Sequence, residues 1–278
     1  MKVLSLFDGI SVCQHALRSF SFPITEYIAS EIEPNAIKTT QRNYPTTIQA
    51  GSVVDLDFSK YKNIDLLTAC SQCQNFSVSS SIKCMIASDG TKITALTQYL
   101  ALKDSGEAFE GESYLFWEFV RGLHETKPKY FMLETVGMPD ELYDLLCSVL
   151  GDYYASSPNF DPELENFNHV NGNNLLIPFE INASKFSAQS RKRLYWTNIQ
   201  VDSHALAVAT NSTTLADIMQ QHVPEKYFYK QAFEHRTDSR NHSILEINGY
   251  DVLKRVYYPE QKCTTLTRVS GGNQQKKQ

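Results

Sequence analysis

The stretch Val3-Leu4-Ser5-Leu6-Phe7-Asp8-Gly9-Ile10 decides the fold class of this chain. Residues 3–7 are mostly apolar, which is typical of a short buried strand, and Asp8-Gly9 ends that strand in a tight turn. Further apolar runs at 24–29, 47–50, 64–68 and 130–133 alternate with helical periodicity at 35–43, at 114–125 and in a segment that begins at Pro139. This alternation predicts an α/β fold with a doubly wound, mainly parallel sheet.

Local signals predict some of the helix ends, and the second half of the chain is less regular. Ser113 is predicted to cap the helix over 114–125, and Gly151 to lie just beyond the end of the next helix. Residues 155–176 are rich in Asn and are predicted to form an exposed loop or insertion. Strands are expected at 176–181 and 194–199, a short helix near 215–220, and a mobile basic tail after Val269.

The composition is that of a globular protein. The chain has 278 residues, of which 42% are hydrophobic and 21% charged, and this excludes disordered and low-complexity proteins. No apolar run approaches the roughly 18 residues of a membrane span, and the first residues do not resemble a signal peptide, so a cytoplasmic protein is expected. Six Cys residues are too sparse for a disulfide framework in a chain of this length, which predicts reduced thiols.

The charges are unevenly distributed along a chain whose net charge is -5. Residues 130–184 contain nine acids and no Lys or Arg, whereas residues 185–200 contain four bases and no acid. Residues 252–278 contain six bases and one acid, Glu260. This pattern predicts a polyanion-binding face on an otherwise acidic protein, with a solvated surface and a loose basic tail as the alternative.

Candidate functional residues follow the predicted strands, because open parallel sheets bind ligands at the carboxyl ends of their strands. Those positions hold the turn Asp8-Gly9-Ile10-Ser11, the acid Glu31, the segment 70–77 and the acid Glu134. A turn that admits a cofactor, an acid that can accept both hydroxyls of a ribose, a thiol and a carboxylate are therefore expected to face one crevice.

The pair Cys70-x-x-Cys73 raises two other possibilities. A redox pair would open a helix whose dipole lowers the thiol pKa, but a polar, hydroxyl-rich segment follows here. A zinc site would need a second Cys-x-x-Cys or a His pair, and the sequence supplies neither. Both possibilities are disfavoured, and a structural role for one buried and one loop cysteine stays open at this point.

Five short motifs occur in order over residues 1–200. They are Leu4-Ser5-Leu6-Phe7-Asp8-Gly9-Ile10, Ser30-Glu31-Ile32-Glu33, Gln74-Asn75-Phe76-Ser77 after Cys73, Leu133-Glu134-Thr135-Val136 and Gln189-Ser190-Arg191-Lys192-Arg193. In order and spacing the chain resembles the DNA cytosine-5 methyltransferases, particularly the short bacterial and phage type. The resemblance implies a Rossmann-like catalytic domain that uses S-adenosylmethionine over residues 1–200, and a partial target-recognition region with a basic tail over residues 201–278.

The resemblance also implies a role for individual residues. Cofactor-binding residues would be Phe7, Asp8, Gly9 and Ile10 in the loop, Glu31 on the ribose hydroxyls, Ile32 on the adenine, and Ser52. Catalytic residues would be Cys73 as the nucleophile toward C6 of a flipped cytosine, Glu134 on its N3 and exocyclic amine, and Arg191 and Arg193 on the flipped nucleotide and Glu134. Double-stranded DNA is the implied partner, and no metal is expected.

Several positions depart from the family pattern. Gln72 stands where the family has Pro, Thr135 where it has Asn, and Ser52 where it has an Asp that contacts adenine. These departures keep two alternatives open: a catalytically impaired DNA-binding or accessory subunit of the same family, and a related enzyme with an altered cofactor or base. The family's late motifs are not evident before Gln278, so a second polypeptide that supplies them is a further candidate partner.

Overall fold

The structure of the chain is a computed structural model that describes residues 1–70, 85–87, 90–109, 112–222, 224–225, 235–238, 242–245 and 255–264. It divides into two compact units: Met1–Glu180 with Arg193–Val201, and Ile181–Lys192 with Asp202–Gln278. Contacts therefore group residues 181–192 with the second unit. The assignment of a catalytic domain to 1–200 and a recognition region to 201–278 stays a prediction.

A seven-stranded sheet is the framework of the first unit. Its strands are β1 (Lys2–Leu6), β2 (Glu26–Ser30), β3 (Ile48–Gln49), β4 (Leu66–Cys70), β5 (Tyr130–Thr135), β8 (Phe179–Asn182) and β10 (Lys192–Thr197), and they lie in the order β3-β2-β1-β4-β5-β10-β8. Neighbouring strands from β3 to β5 are parallel, and β10 is antiparallel to β5. The predicted α/β fold with a mainly parallel sheet is confirmed.

Helices connect these strands. They are α1 (Val12–Ser19), α2 (Pro34–Asn43), α3 (Leu96–Asp104), α4 (Leu115–Thr126) and α5 (Asp140–Ala155). The predicted elements of the first half are present, and apart from the C-terminal end of α5 their ends differ by at most two residues. Helix α3 lies where the periodicity predicts no helix. Buried side chains of β1, β4 and β5 pack against the apolar face of α4, which includes Phe116, Phe119 and Leu123. Strands that are covered in this way consist of continuous apolar residues, which is why the sequence predicts them.

Both predicted helix-end signals are wrong. Helix α4 has Tyr114 at its N-cap and no side-chain cap, while the Ser113 hydroxyl accepts a hydrogen bond from the Met85 backbone N–H at 3.0 Å. Gly151 lies inside α5, four residues before its end at Ala155. A Cβ atom at Gly151 would come within 2.3 Å of the Asn174 carbonyl oxygen, so this glycine permits close packing and does not end the helix.

Part of the predicted loop over 155–176 is ordered as a hairpin. Strands β6 (Phe167–Val170) and β7 (Asn173–Leu176) are antiparallel and are joined by Asn171-Gly172, both of which have positive φ. This turn has the sequence and the backbone signs of a two-residue hairpin turn. Of the two alternatives, the loop is wrong here and the insertion is not contradicted. Polar residues at the turn and along the exposed strand β6 give no sequence signal of the packing of β7 against α5.

The second unit contains short elements. They are β9 (Gln189–Ser190), β11 (His235–Asp238), β12 (His242–Leu245), β13 (Arg255–Tyr257), β14 (Cys263–Thr264), α6 (Ser203–Val208) and α7 (Leu215–Ile218). Strands β11, β12 and β13 form an antiparallel sheet, and β9 pairs with β14. The short helix expected near 215–220 is present as α7. The predicted basic tail after Val269 lies outside the described residues, and no helix of the described part is long and apolar enough to cross a membrane.

Candidate active site

The turn after β1 is built from residues in the left-handed region. Phe7, Gly9 and Ser11 have φ values of 54°, 59° and 60°, and the Ser11 N–H donates to the Asp8 carbonyl at 3.1 Å. Such backbone conformations are costly for residues other than glycine and are concentrated at ligand sites. The turn leads directly into α1, which begins at Val12.

The Asp8 side chain points into the protein. It is buried, and it accepts hydrogen bonds from the Ser11 hydroxyl and, at 2.8 Å, from the Tyr27 hydroxyl. Burial is the main cause that raises the pKa of this carboxyl above its ordinary value. Through these hydrogen bonds the Asp8 side chain stabilises the turn from inside the protein.

Glu31 follows β2 and is held in one orientation by backbone groups. Its Oε1 accepts from the N–H groups of Ile32 and Glu33, both at 2.8 Å, and its Oε2 accepts from the Gly9 N–H at 2.7 Å. The carboxylate therefore joins the turn after β1 to the end of β2. Since each carboxylate oxygen can accept two hydrogen bonds, Oε2 keeps capacity for one more donor.

A cavity of about 210 Å³ lies beside Glu31. It is lined by Phe7, Ser30, Glu31, Ile32, Gly51, Ser52, Val53, Val54, Glu112, Tyr114 and Leu115. The structure thus brings together Phe7, Glu31, Ile32 and Ser52 among the predicted cofactor residues. Asp8, Gly9 and Ile10 do not line it: Gly9 contributes its N–H to Glu31, and the side chain of Ile10 is exposed.

One wall of this cavity is a short 3-10 helix, Val53–Asp55, that Ser52 caps. The Ser52 hydroxyl accepts from the Val54 N–H at 3.3 Å. The carbonyl groups of this segment are bound by cations: Lys103 Nζ donates to Val54 O at 2.7 Å, and Arg121 donates to Val53 O at 3.1 Å and to Leu56 O at 3.0 Å. These hydrogen bonds link the cavity wall to helices α3 and α4.

Glu118 is the acid that balances these cations. It is fully buried on α4, and its Oε1 accepts from Lys103 Nζ at 2.6 Å and from the Tyr99 hydroxyl. Its Oε2 accepts from Arg121 Nε at 2.7 Å, and Arg121 Nη2 lies 2.6 Å away. The guanidinium also lies 4.4 Å from the centre of the Phe58 ring. We call Tyr99, Lys103, Glu118 and Arg121 the Glu118 cluster.

A second group lies at the carboxyl end of β5. Glu134 is buried there, and Arg193 Nε of the antiparallel strand β10 lies 3.0 Å from Glu134 Oε1. Cys70, the last residue of β4, is the parallel-register partner of Glu134. Two of the predicted catalytic residues, Glu134 and Arg193, are thus in contact beside the strand end that leads toward Cys73.

The roles of the other two predicted catalytic residues, Cys73 and Arg191, stay predictions. Cys73 and Gln72 lie outside the described residues. Arg191 belongs to the second unit, where its backbone N–H donates to Asn182 Oδ1 at 3.0 Å. Within the described part of the chain, no group of three or more His, Cys, Asp or Glu residues could hold a metal ion.

Sequence reasoning missed several residues of the cavity. Glu112, Tyr114 and Leu115 precede or open α4 and follow no predicted strand, so the rule that ligands bind at strand ends does not find them. The sequence gives no signal for Val53 and Val54 except that they follow the predicted site residue Ser52. Their place in the cavity depends on how α4 packs against the 3-10 segment, a contact between residues about 60 positions apart, and no local pattern encodes it.

Comparisons with known proteins agree with this architecture. Residues 1–140 match the model of the family described as C-5 cytosine-specific DNA methylase. The orphan methyltransferase M.SPBetaI of Bacillus phage SPbeta is 24% identical over 324 aligned residues, which cover 100% of this chain and 73% of that protein. The orphan methyltransferase M.Rho11sI of Bacillus phage rho11s is 30% identical over 138 residues, which cover 49% of this chain and 23% of that protein.

Among solved structures, the S. pombe Dnmt2 methyltransferase has a similar fold. Its TM-score is 0.53 at 16% identity, with 81% of this chain and 62% of that chain covered, so this chain spans less than two thirds of that structure. The family model covers 140 of the 278 residues, which is half of the chain, and it includes the turn after β1, Glu31 and Glu134. The chain therefore belongs to the C-5 cytosine-specific DNA methylase family, as its motifs predict.

Proposed function

We propose that this chain transfers a methyl group from S-adenosylmethionine to C5 of a cytosine flipped out of double-stranded DNA, through a covalent adduct with Cys73. The observation that carries the proposal is the buried pair of Glu134 and Arg193, 3.0 Å apart at the carboxyl end of β5. The cavity beside Glu31 lies after β2, at the same edge of the parallel sheet. Family membership supplies the reaction class.

The residues around the 210 Å³ cavity fit the adenosine part of this cofactor. Its walls are largely apolar, and Glu31 presents an oriented carboxylate oxygen that can accept from a ribose hydroxyl. Phe7, Ile32 and Ser52 would complete the site, while Asp8 and Gly9 hold the turn and Ile10 lies exposed beside it. When bound, S-adenosylmethionine supplies an electrophilic methyl group.

Cys73 would provide the nucleophile. Cytosine C5 is a poor nucleophile until a thiolate adds to C6, so covalent catalysis replaces one difficult step with easier ones. After C5 has gained the methyl group it loses its proton, the bond from Cys73 to C6 breaks, and the thiolate and the aromatic base are restored. Because C5 is inaccessible in a duplex, the base must first leave the stack, at a cost of about a few kcal/mol.

Glu134 would bind N3 and the exocyclic amine of the flipped cytosine. Its contact with Arg193 fixes the carboxyl group at the strand end, where a proton shared between Glu134 and N3 would neutralise the negative charge that the ring gains as Cys73 adds. Arg191 would bind a phosphate of the flipped nucleotide, since guanidinium groups recognise phosphate through two parallel hydrogen bonds. Residues 201–278 would then contribute a partial recognition region for DNA.

The test is covalent trapping on duplex DNA in which 5-fluorocytosine replaces cytosine. Fluorine at C5 cannot leave as a proton does, so the adduct should accumulate when S-adenosylmethionine is present and should appear as a shifted band on a denaturing gel. Cys73→Ser should abolish the band. Cys70→Ser is the matched control and should leave it, because Cys70 ends β4 and precedes the family's nucleophile motif.

Two outcomes count against the proposal. Trapping that survives Cys73→Ser would remove Cys73 as the nucleophile. Absence of trapping and of labelled-methyl transfer by a folded parent chain that still binds DNA would favour the accessory-subunit alternative. In that case a second polypeptide would be sought that restores activity.

A further inference from the structure

Glu112 carries an acceptor for which the described protein supplies no donor. It lies just before α4 and lines the cavity together with Glu31 and Ser52. Its Oε2 atom is buried and has no hydrogen-bond partner among the described residues. A buried carboxylate oxygen without a donor is costly, and such a group in a ligand cavity points to a donor that the ligand brings.

The charges around the cavity restrict what that ligand can be. The described residues that line it include two carboxylates, those of Glu31 and Glu112, and no Lys, Arg or His. The pKa of the neighbouring Tyr114 is raised, mainly by burial and then by the negative charges of Glu118 and Glu112. A phosphate group would be repelled here, whereas a nucleoside that offers N–H and O–H donors is suited to the site.

The walls indicate which part of the ligand meets Glu112. Ile32, Val53, Val54 and Leu115 present apolar surface that suits a planar ring, and the free capacity of Glu31 is proposed to serve a ribose. Glu31 already accepts from three backbone N–H groups, which leaves Glu112 as the carboxylate of this cavity with no assigned donor among the described residues.

We propose that Glu112 Oε2 accepts a hydrogen bond from the exocyclic amine of the cofactor's adenine, and that Glu112 is therefore the residue by which this chain selects adenine. The inference rests on the proposed use of S-adenosylmethionine. A 6-oxo purine places an acceptor where adenine places a donor, so the carboxylate would face a second acceptor and reject that ring.

Calorimetric titration of the full chain tests this without any catalytic step. The ligands are S-adenosylhomocysteine, the demethylated cofactor, and S-inosylhomocysteine, its 6-oxo counterpart. The parent chain should bind the adenine compound about 10- to 100-fold more tightly, the range expected when one buried hydrogen bond is lost. Glu112→Gln should weaken binding of the adenine compound and narrow the preference, because an amide can also donate to the 6-oxo group.

A matched control and a stability measurement separate binding from structure. Glu163→Gln removes the same charge from an exposed position and should leave both affinities unchanged. Thermal unfolding of ligand-free Glu112→Gln should show equal or higher stability than the parent, because the variant removes the charge from a group whose buried Oε2 has no donor among the described residues. A positioning role within the fold would lower stability instead.

The outcomes distinguish this inference from the proposed function. Equal affinity of the parent for the two ligands, or an unchanged preference in Glu112→Gln, overturns the role of Glu112 while the trapping experiment stands. A strong preference that narrows in Glu112→Gln, without trapping, supports Glu112 and overturns methyl transfer. A parent chain that binds neither ligand overturns both. Equal affinity of the parent for the two ligands overturns the inference even if the variant does not fold.

Discussion

Replacement of Glu118 by Gln should destabilise the first unit more than any conservative change on the surface of α4. Glu118 is fully buried and receives donors from Tyr99, Lys103 and Arg121. Gln keeps one oxygen as an acceptor but removes the charge that balances the two cations. The other carboxylate oxygen becomes an amide that faces a donor, so at least one buried hydrogen bond is lost.

The magnitude follows from the burial of each partner. Breaking a buried ion pair by removing one member costs about 3–5 kcal/mol. The lower end of this range applies here for two reasons. The Lys103 side chain is 26% exposed and can reach water, and Arg121 keeps its hydrogen bonds to the carbonyl groups of Val53 and Leu56. A loss of about 3 kcal/mol corresponds to a fall in Tm of about 6–12 °C for a unit of this size.

Tryptophan fluorescence is the appropriate assay. The two Trp residues of the chain, Trp117 and Trp196, are both buried in the first unit, so their emission reports the unfolding of that unit. The control is Glu125→Gln on the same helix, whose carboxylate is 40% exposed and lies 3.4 Å from Arg121. It should cost less than about 0.5 kcal/mol. If Glu118→Gln shifts Tm by no more than this control, the Glu118 cluster does not stabilise the fold as argued.

Two further predictions concern the cofactor turn and the packing of α5. Glu31→Ala should weaken binding of S-adenosylhomocysteine by about 1–3 kcal/mol, because three backbone N–H groups and the proposed ribose hydroxyl lose their acceptor. Unchanged calorimetric affinity in a folded variant would refute the role of Glu31. Gly151→Ala should lower the unfolding free energy by about 1–3 kcal/mol or more, since its Cβ would lie 2.3 Å from the Asn174 carbonyl oxygen. The control Gly137→Ala, where a Cβ meets nothing within 4 Å, should change the unfolding free energy little. Equal urea midpoints for the two variants would contradict the packing argument.

Much of the framework was predictable because its signals are local. The strands β1, β2, β4 and β5 are buried beneath helices, and each therefore reads as a short apolar run in the sequence. Glu31 and Glu134 come directly after or at the end of such runs, so the topology of a parallel sheet places them at one edge. The motifs around these residues predict the family, and the comparison over residues 1–140 confirms it.

Local signals failed where one residue has two competing partners. Ser113 has the side chain of a helix cap, but its hydroxyl binds the Met85 N–H, 28 positions away. Gly151 looks like a helix end, but the helix continues because β7 packs against the bare backbone at that position. The cofactor role of Asp8 stays a prediction, and what the tertiary structure adds is that Tyr27 and Ser11 bind its side chain inside the protein.

The sequence by itself therefore determined the α/β class, the candidate residues at the carboxyl ends of the strands, and the family. Tertiary structure decided which side chains form the cavity wall: Glu112, Tyr114 and Leu115 meet Ser52 and Val53 only because α4 packs against the 3-10 segment. It also decided that Glu118 holds that wall through Lys103 and Arg121. The physical reason is that periodicity and turn chemistry act over a few residues. The cavity wall and its hydrogen bonds to Lys103 and Arg121 instead join segments that are about 50 to 70 residues apart.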